Sequence, residues 1–537
     1  MLSWKILLIL IFCLIDYGKT VVINCIAYTA EANSLAFDAY IDGFNQYAKD
    51  NNLDIKVELN LMTMNSNYDS LGNSYLMIES LLKKGSSKYD IYFYDVSYLK
   101  QYSPYLIDLK EVLPEEHIYM YDEQILDQIC TYDGKILGLI LYIFLLFSII
   151  NPFSIWIDAL YSNINLLNEY NKRVPKTWDE LLETGKEILE KEKTLKNNTE
   201  LVGYNGLMFD ADNGLCSIYE FIYSCRETYE SPFPELTSEN TIKATKLIKK
   251  IKDELSSDEI FRTNTVFDVN LFEKNALFMK FWVFFGVLHN DNYVLSILPG
   301  MKEGISGSAL IGYNIGISKN IQKDKKDAAI KAVEFMTSKG FQKKLVLQEI
   351  IISGILSLYD DEEVCSSIKN CEVYKDVQLI AKPVNKTDNY IEYSEKFTNY
   401  FYGYLYGNST ETEESVLKKI DDLTKIYHIA MDSKETSSGL TFFILFLVTI
   451  IMMIFSLIFL FIKKFEKYFS FLSKLDWIII VIGIIIIAVS NFYNFGELTD
   501  FKCQMKNSLL ALGFTFIYGP ILCQLIINFP ETNKYSF

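Results

Sequence analysis

ILGLILYIFLLFSIINPFSIWI, Ile136 to Ile157, is the stretch on which the architecture turns. Its 22 residues carry no charge. As one helix they would extend roughly 33 Å, enough to cross a hydrocarbon core about 30 Å thick. Two observations argue against a span. Asn151-Pro152 interrupts any helix through the run, because Pro lacks the amide donor and clashes with the preceding turn. A single crossing here would also send everything downstream to the opposite side from what precedes it, where sequons and cysteine pairs have no use. With Phe144 to Ile157 lifted out, the chain reads LILYIDALYSN, a strand leading into a helix. Residues 144–157 are therefore read as an insertion, of the kind a retained intron would encode. The alternative is an apolar hairpin packed on the domain.

Upstream of this run, hydrophobic periodicity switches between two and about 3.6. Val21 to Thr29 reads as a buried strand, Leu35 to Asn51 as a helix, Ile55 to Met62 as a strand, Tyr75 to Lys84 as a helix, and Tyr89 to Tyr94 as a buried strand ending at Asp95. Strands alternating with helices predict an α/β domain with a largely parallel sheet. Ligands of such sheets bind beyond the carboxyl ends of strands, which is where Asp95 falls. Asp133-Gly134, between apolar runs, predicts a hairpin turn.

The 537 residues suffice for more than one domain, and a net charge of −17 leaves no basic stripe to neutralise phosphates. Nucleic acid is excluded as a partner. His117, His289 and His428 are the only histidines and lack metal-ligand spacing, so no metal, cofactor or histidine-based triad is expected. No G-x-S-x-G, phosphate loop or paired catalytic carboxylates stand out, and GISGSALIG lacks the Lys a phosphate loop needs, so the chain is not read as an enzyme.

Residues 1–20 have the three-part form of a secretory signal: Lys5, the apolar block Ile6 to Ile15, then small or polar residues near Gly18. Sequons at Asn197, Asn385 and Asn408 fit that address. The extracytoplasmic cysteines would be Cys25, Cys130, Cys216, Cys225, Cys365, Cys371 and Cys503, an odd number. Cys365 with Cys371 is the expected bridge, across the short polar segment SSIKN. Cys25 with Cys130 and Cys216 with Cys225 are further candidates, although a continuous helix from 216 to 225 would hold its two cysteines on opposite faces.

Beyond the apolar run the sequence becomes more specific. YDGKILGLILY is followed by DALYSNINLLNEYNKRVPKTWDELLETGKEIL (Asp158 to Leu189), in which Thr177 and Glu180 form a capping box. Then come LFEKNALFMKFW (Leu271 to Trp282), YVLSILPGMKEG (Tyr293 to Gly304), GSALIGYNIGISKN (Gly307 to Asn320) and KKDAAIKAVEFMTSKGFQKK (Lys325 to Lys344). In this order, these segments resemble the extracellular solute-binding proteins of family 1, the maltose-binding type, over roughly residues 21–431. The resemblance implies an α/β two-lobed ectodomain of the periplasmic-binding-protein II class. The chain would cross between lobes near 143–158 and again near Leu298-Pro299, and the lobes would close by a hinge on a small solute, a sugar or oligosaccharide. By position in the family pattern, Asp95, Asp158, Trp282 and Tyr313 are the ligand-binding candidates: carboxylates accept hydrogen bonds from sugar hydroxyls, and aromatic rings stack on sugar faces. The chain departs from the family where Ile140 stands in place of a common Pro, and at Gly312-Tyr313, where Gly-Trp is usual.

Glu411 to Met431 is an amphipathic helix that would close the domain, and residues 432–439 form a linker. LTFFILFLVTIIMMIFSLIFLFI, Leu440 to Ile462, follows as an uncharged span, with Trp477 to Phe495 and Asn507 to Phe529 as two more. Lys463, Lys464, Lys467 and Lys474 between the first two spans place that loop in the cytosol and the N-terminal domain outside, in a multi-pass protein of the cell membrane with a cytosolic tail at 530–537. CQMKNSLLALGFTFIYGPILCQL (Cys503 to Leu525) resembles the start of the third helix of class C G-protein-coupled receptors, where a Cys tops the helix. That resemblance implies an all-α transmembrane region truncated from seven helices to three, with a heterotrimeric G protein as partner only if the missing helices exist. An unpaired Cys503 could also bridge two chains in a homodimer. The leading expectation is a receptor of this class sensing a small extracellular solute. The alternative is a membrane-tethered solute-binding protein for capture or transport without signalling.

Overall fold

Val21–Thr29 (β1) is buried on both faces: Ile23, Cys25 and Ala27 point one way, Ile26 and Tyr28 the other. A strand with two apolar faces belongs in the interior of a sheet covered on both sides. That is its place in the computed structural model, which describes residues 20–29, 35–63, 70–142, 157–209, 212–263, 276–283, 291–384, 386–387, 389–407, 411–425, 437–495 and 499–532. The secretory signal, the suspected insertion (apart from Ile157), the sequons at Asn385 and Asn408 and most of the linker lie outside the described residues.

The described residues divide into two units, 1–424 and 425–537. The first is two-lobed. In the first lobe, Leu35–Asp50 (α1) follows β1 and buries Phe37, Tyr40, Ile41, Phe44 and Ala48, one helical face. Ile55–Thr63 (β2), Ser70–Lys83 (α2) and Ile91–Asp95 (β3) come next. With Leu139–Tyr142 (β4) and, from far downstream, Tyr313–Ile317 (β9), they build a five-stranded sheet ordered β2-β1-β3-β9-β4. β1 runs parallel to β2 and β3, and β9 alone runs antiparallel to its neighbours β3 and β4. The largely parallel character predicted from the alternating pattern holds here. Thr131–Tyr132 and Lys135–Ile136 pair around Asp133 (φ 51°) and Gly134 (φ 72°). Both central residues are left-handed, the geometry that matches hairpin twist, which is why Asp-Gly announces the turn.

The second lobe carries Asp158–Asn163 (β5), Trp178–Lys196 (α3), Asp212–Tyr223 (α4), Glu239–Leu255 (α5), Phe278–Trp282 (β6) and Tyr293–Ile297 (β7). Its sheet, β6-β5-β7, is antiparallel throughout. Thr177 caps α3, with its side chain accepting from the Glu180 amide and Glu180 reaching back to the cap. The lobe's core joins Leu160, Trp178, Leu181, Ile218, Ile248 and Phe397.

Ser308–Leu310 (β8) and Leu379–Ala381 (β10) pair in parallel, outside both main sheets. Lys323–Met336 (α6) and Lys339–Leu347 (α7) return to the first lobe, and Cys371–Asp376 (α8) precedes β10. After β10, Tyr390–Leu405 (α9) and Glu413–Asp421 (α10) pack into the second lobe's core.

Cysteine pairing follows this architecture. Cys365 and Cys371 are joined by a disulfide. The Cys25–Cys130 pair does not form, and both thiols are free and buried. Cys25 is in register with Ile91 on one face of the sheet, whereas Cys130 Sγ lies 3.8 Å from Asn314 Oδ1, on the face shared with Tyr94. Cys216 and Cys225 are likewise free: Cys216 lies within α4, Cys225 follows its end at Tyr223, and the two fall in different core clusters.

The second unit holds Ser437–Ser456 (α11), Lys474–Ser490 (α12) and Asp500–Thr532 (α13). Each belongs to a helix long and apolar enough to cross a membrane: 438–461, 474–494 and 500–529. α12 and α13 meet at glycines. A Cβ on Gly483 would lie 2.8 Å from the Gly513 carbonyl oxygen, so only a residue without a side chain allows the approach.

Candidate ligand cleft

Register places the four ligand-binding candidates in two pairs. Asp95 ends β3 directly opposite Tyr313, which begins β9, and Tyr313 is also opposite Tyr142, the end of β4. In the second lobe Asp158 begins β5 opposite Trp282, the end of β6. The five residues Ser308–Gly312 join the two pairs. The Asp158 amide donates to Ser308 Oγ at 2.9 Å, and the Val96 amide donates to the Gly312 carbonyl at 3.0 Å. The strand ends of both lobes thus converge on one interlobe passage.

Their side chains are differently engaged. The Asp95 carboxylate accepts from the Ser97 amide at 2.8 Å and caps the short helix Val96–Tyr98. Tyr313 is fully buried, its hydroxyl donating to the Tyr28 carbonyl at 2.8 Å and lying 3.4 Å from the Tyr75 hydroxyl. Trp282 is 3% exposed, and its carbonyl accepts from the Tyr161 hydroxyl at 2.9 Å. Asp158 turns beneath α4, where Lys280 Nζ lies 3.9 Å from its Oδ2.

Lys280 is the centre of a buried polar cluster. It donates to Ser217 Oγ at 2.5 Å, pairs with Glu220 and faces Asp158. Glu220 Oε2 accepts the Ala309 amide at 3.0 Å. Burial first, and the Asp158 carboxylate second, push the Glu220 carboxyl well above its ordinary range, against the opposing pull of Lys280. Burial works to lower the Lys280 ammonium, but Asp158 and Glu220 outweigh it and the net shift is upward. A protonated Glu220 leaves one cation and one anion, a neutral cluster, which is the arrangement a dry interior tolerates.

Sequence reasoning missed the residues that hold the crossings. Arg226, buried after α4, donates to the Ser306 carbonyl at 2.6 Å and to Gln378 Oε1 at 2.5 Å. Gln378 also accepts from the Ser306 amide and donates to the Gly304 carbonyl, tying the approach to β10 to the second lobe. Gln128, from the first lobe, accepts from the Ala381 amide at 2.6 Å and donates to the Leu379 carbonyl. No local pattern marks such residues, because each acts on a partner dozens or hundreds of positions away. The return to the first lobe also falls later than Leu298-Pro299. Leu298 still accepts from Ser306 Oγ and Met301 still bonds Ser224 within the second lobe, so the change of lobe comes between Ala309 and Gly312. Among the described residues no cluster of His, Cys, Asp and Glu could hold a metal ion.

Two lobes, three connecting segments and a passage between strand ends define the class of two-lobed solute-binding proteins. The chain belongs to the family of bacterial extracellular solute-binding proteins, whose pattern it matches over residues 31–343. Its fold is similar to that of maltose-bound MalE3 of T. maritima (19% identity, TM-score 0.56, covering 75% of this chain and 99% of that one). It is also similar to the sugar-binding protein MalE of Xanthomonas citri (14%, 0.57, 75% and 96%) and to the cyclic alpha-maltosyl-1,6-maltose binding protein of Arthrobacter globiformis (15%, 0.53, 75% and 98%). The family and these structural relatives are binding proteins and not enzymes.

Proposed function

We propose that this is a membrane-anchored solute-binding protein whose cleft takes a small neutral carbohydrate. Residues 21–431 form the binding domain, 432–439 the linker, and the three apolar helices the anchor. The carrying observation is the register that sets Asp95 beside Tyr313 and Asp158 beside Trp282 at the facing strand ends of two hinged lobes. Asp95 and Trp282 stand nearest the ligand, one as hydrogen-bond acceptor and one as apolar platform. Asp158 and Tyr313 shape the floor from beneath, since their polar atoms already serve Lys280 and the Tyr28 carbonyl. The sugars of the similar binding proteins, maltose and a cyclic maltosyl-maltose, set the first compounds to try. Titration calorimetry of the purified protein with maltose, maltotriose, cyclic glucans and polyols is expected to give one-site binding that Asp95→Asn weakens. Absence of heat with every neutral sugar and polyol overturns the reading.

The receptor reading adds that the helices report lobe closure. The observation in its favour is Cys503, exposed and free at the head of α13 with Leu512–Thr515 below it. Sugar-dependent nucleotide exchange in membranes containing the protein is its test.

A further inference from the structure

Alongside β7, a groove of about 490 Å³ lies between that strand and α8. One wall is Val294, Leu295, Ser296, Ile297 and Leu298, five consecutive residues. Successive strand side chains point to opposite faces, so a wall made of consecutive residues is the strand's edge. β7 is the outermost strand of the β6-β5-β7 sheet, and beyond their pairing with β5 the backbone groups of Val294–Ile297 make no hydrogen bond among the described residues. Val294 is 40% exposed, and the Ser296 hydroxyl is buried without a hydrogen-bond partner. Such an edge is a template for another strand.

The opposite wall is α8, held to the first lobe. Tyr374 stacks on Tyr359 at 5.2 Å, and the Cys365–Cys371 disulfide fixes the helix start. Glu372 and Asp376, both exposed, line the groove from α8. Lys375 between them is engaged by Asp360 at 3.0 Å, and across the groove Glu303 is engaged by Lys176. The rim therefore keeps a net negative charge over an apolar floor that includes Pro175, Ile305 and Val373. Glu372 and Asp376 are four residues apart on a helix, a rise of about 6 Å. Alternate residues of an extended strand are about 6.7 Å apart on one face. The two spacings match.

We infer that this groove is a second binding site, for an extended peptide segment of the pattern cation-apolar-cation that adds as a strand to β7 and sets its alternate Lys or Arg residues against Glu372 and Asp376. Main-chain pairing supplies affinity and the two carboxylates supply register. None of Asp95, Asp158, Trp282 and Tyr313 lines this groove, and its occupancy is tested without sugar.

The test uses the full-length protein in phosphatidylcholine nanodiscs, with empty nanodiscs as control, and the labelled peptide acetyl-TVKVKVT-amide. Saturable binding is expected by fluorescence polarisation, weakening as salt rises. It should fall about tenfold for Glu372→Gln with Asp376→Asn, surface changes that leave the fold intact. The Glu-for-Lys peptide should not bind. N-methylating alternate residues on one peptide edge should abolish binding while methylating the other edge spares it, the signature of strand addition. No binding, equal binding of the Glu peptide, or indifference to both methylation patterns overturns the proposal.

Discussion

Lys280, Glu220 and Asp158 show how one buried cation organises its surroundings. Lys280 sits in the middle of β6, where a side chain must point either into the core or to the opposite face, and it is almost wholly buried. An unpaired ammonium there would cost several kcal/mol. The two acids answer it, but two carboxylates against one ammonium would leave an excess negative charge, and burial together with Asp158 pushes the Glu220 carboxyl up, toward the protonated form that relieves it. The consequence for stability has a definite sign. The folded Glu220 carboxyl lies above its ordinary value of 4.5, so folding favours the protonated form. Its contribution is complete below the ordinary value and is lost as pH rises through the raised one. Lys280 is also raised, but it keeps its charge throughout that window and adds no slope. Glu220→Gln keeps the shape and the neutral state at every pH. Its melting temperature should equal that of the native protein at pH 4 and exceed it increasingly toward neutrality, measured by scanning calorimetry of the ectodomain transition. Parallel curves for the two proteins would show that Glu220 is ionised in the fold.

Elements that advertise themselves locally were readable in the residues, and elements made by distant pairing were not. Thr177 with Glu180 announces the start of α3 because a capping box is complete within four positions. Asp133-Gly134 announces its hairpin because the turn needs two left-handed residues in sequence. The three apolar helices follow from uncharged runs alone. By contrast, nothing near Cys25 or Cys130 says that the one sits inside the five-stranded sheet and the other ends a short helix against Asn314. Nothing near Gly483 says that Gly513 will pack against it. That contact carries a prediction at the scale of the element. A side chain at Gly483 would meet the Gly513 carbonyl and Phe516, at 2.8 and 2.9 Å from its Cβ, and backbone cannot yield as a flexible side chain does. Gly483→Leu should therefore cost about 1–3 kcal/mol of helix-pair stability. The reading is the midpoint of loss of helix packing in a detergent titration, followed through Trp477 fluorescence. Gly519→Leu is the control, since its Cβ meets nothing within 4 Å. An unshifted midpoint for Gly483→Leu would mean that α12 and α13 do not pack through these glycines.

For the whole molecule, the two-lobed plan was legible because several modest motifs fell in one order, while the hinge was not. Its parts come from 128, 226, 306 and 378, and they become neighbours only when the segments of β8 and β10 run side by side. Their bonding says where the lobes turn. In the segment that contains β8, Ala309 is held by Glu220 of the second lobe and Gly312 by Val96 of the first, so rotation of the lobes is expected at Leu310 and Ile311. In the segment that contains β10, Gln378 is held by Arg226 of the second lobe and Ala381 by Gln128 of the first, so both lobes grip it within four residues. Hinges of this kind concentrate the change in a few residues that join rigid bodies. Gln128 is thus the first lobe's grip on that segment, and Gln128→Leu should release it at nearly constant volume. The lost hydrogen bonds would cost about 1–3 kcal/mol of stability. The more telling effect is on interlobe distance, measured by energy transfer between labels at Lys56→Cys and Lys193→Cys after Cys503 and Cys523, both exposed, are changed to Ser. In the sugar-free protein the variant's distance distribution should broaden toward more open forms. Saturating sugar should restore the native closed distance, at an apparent affinity reduced by the smaller closed-competent population. An unaltered sugar-free distribution would place the turning point of that segment elsewhere than beside Gln128.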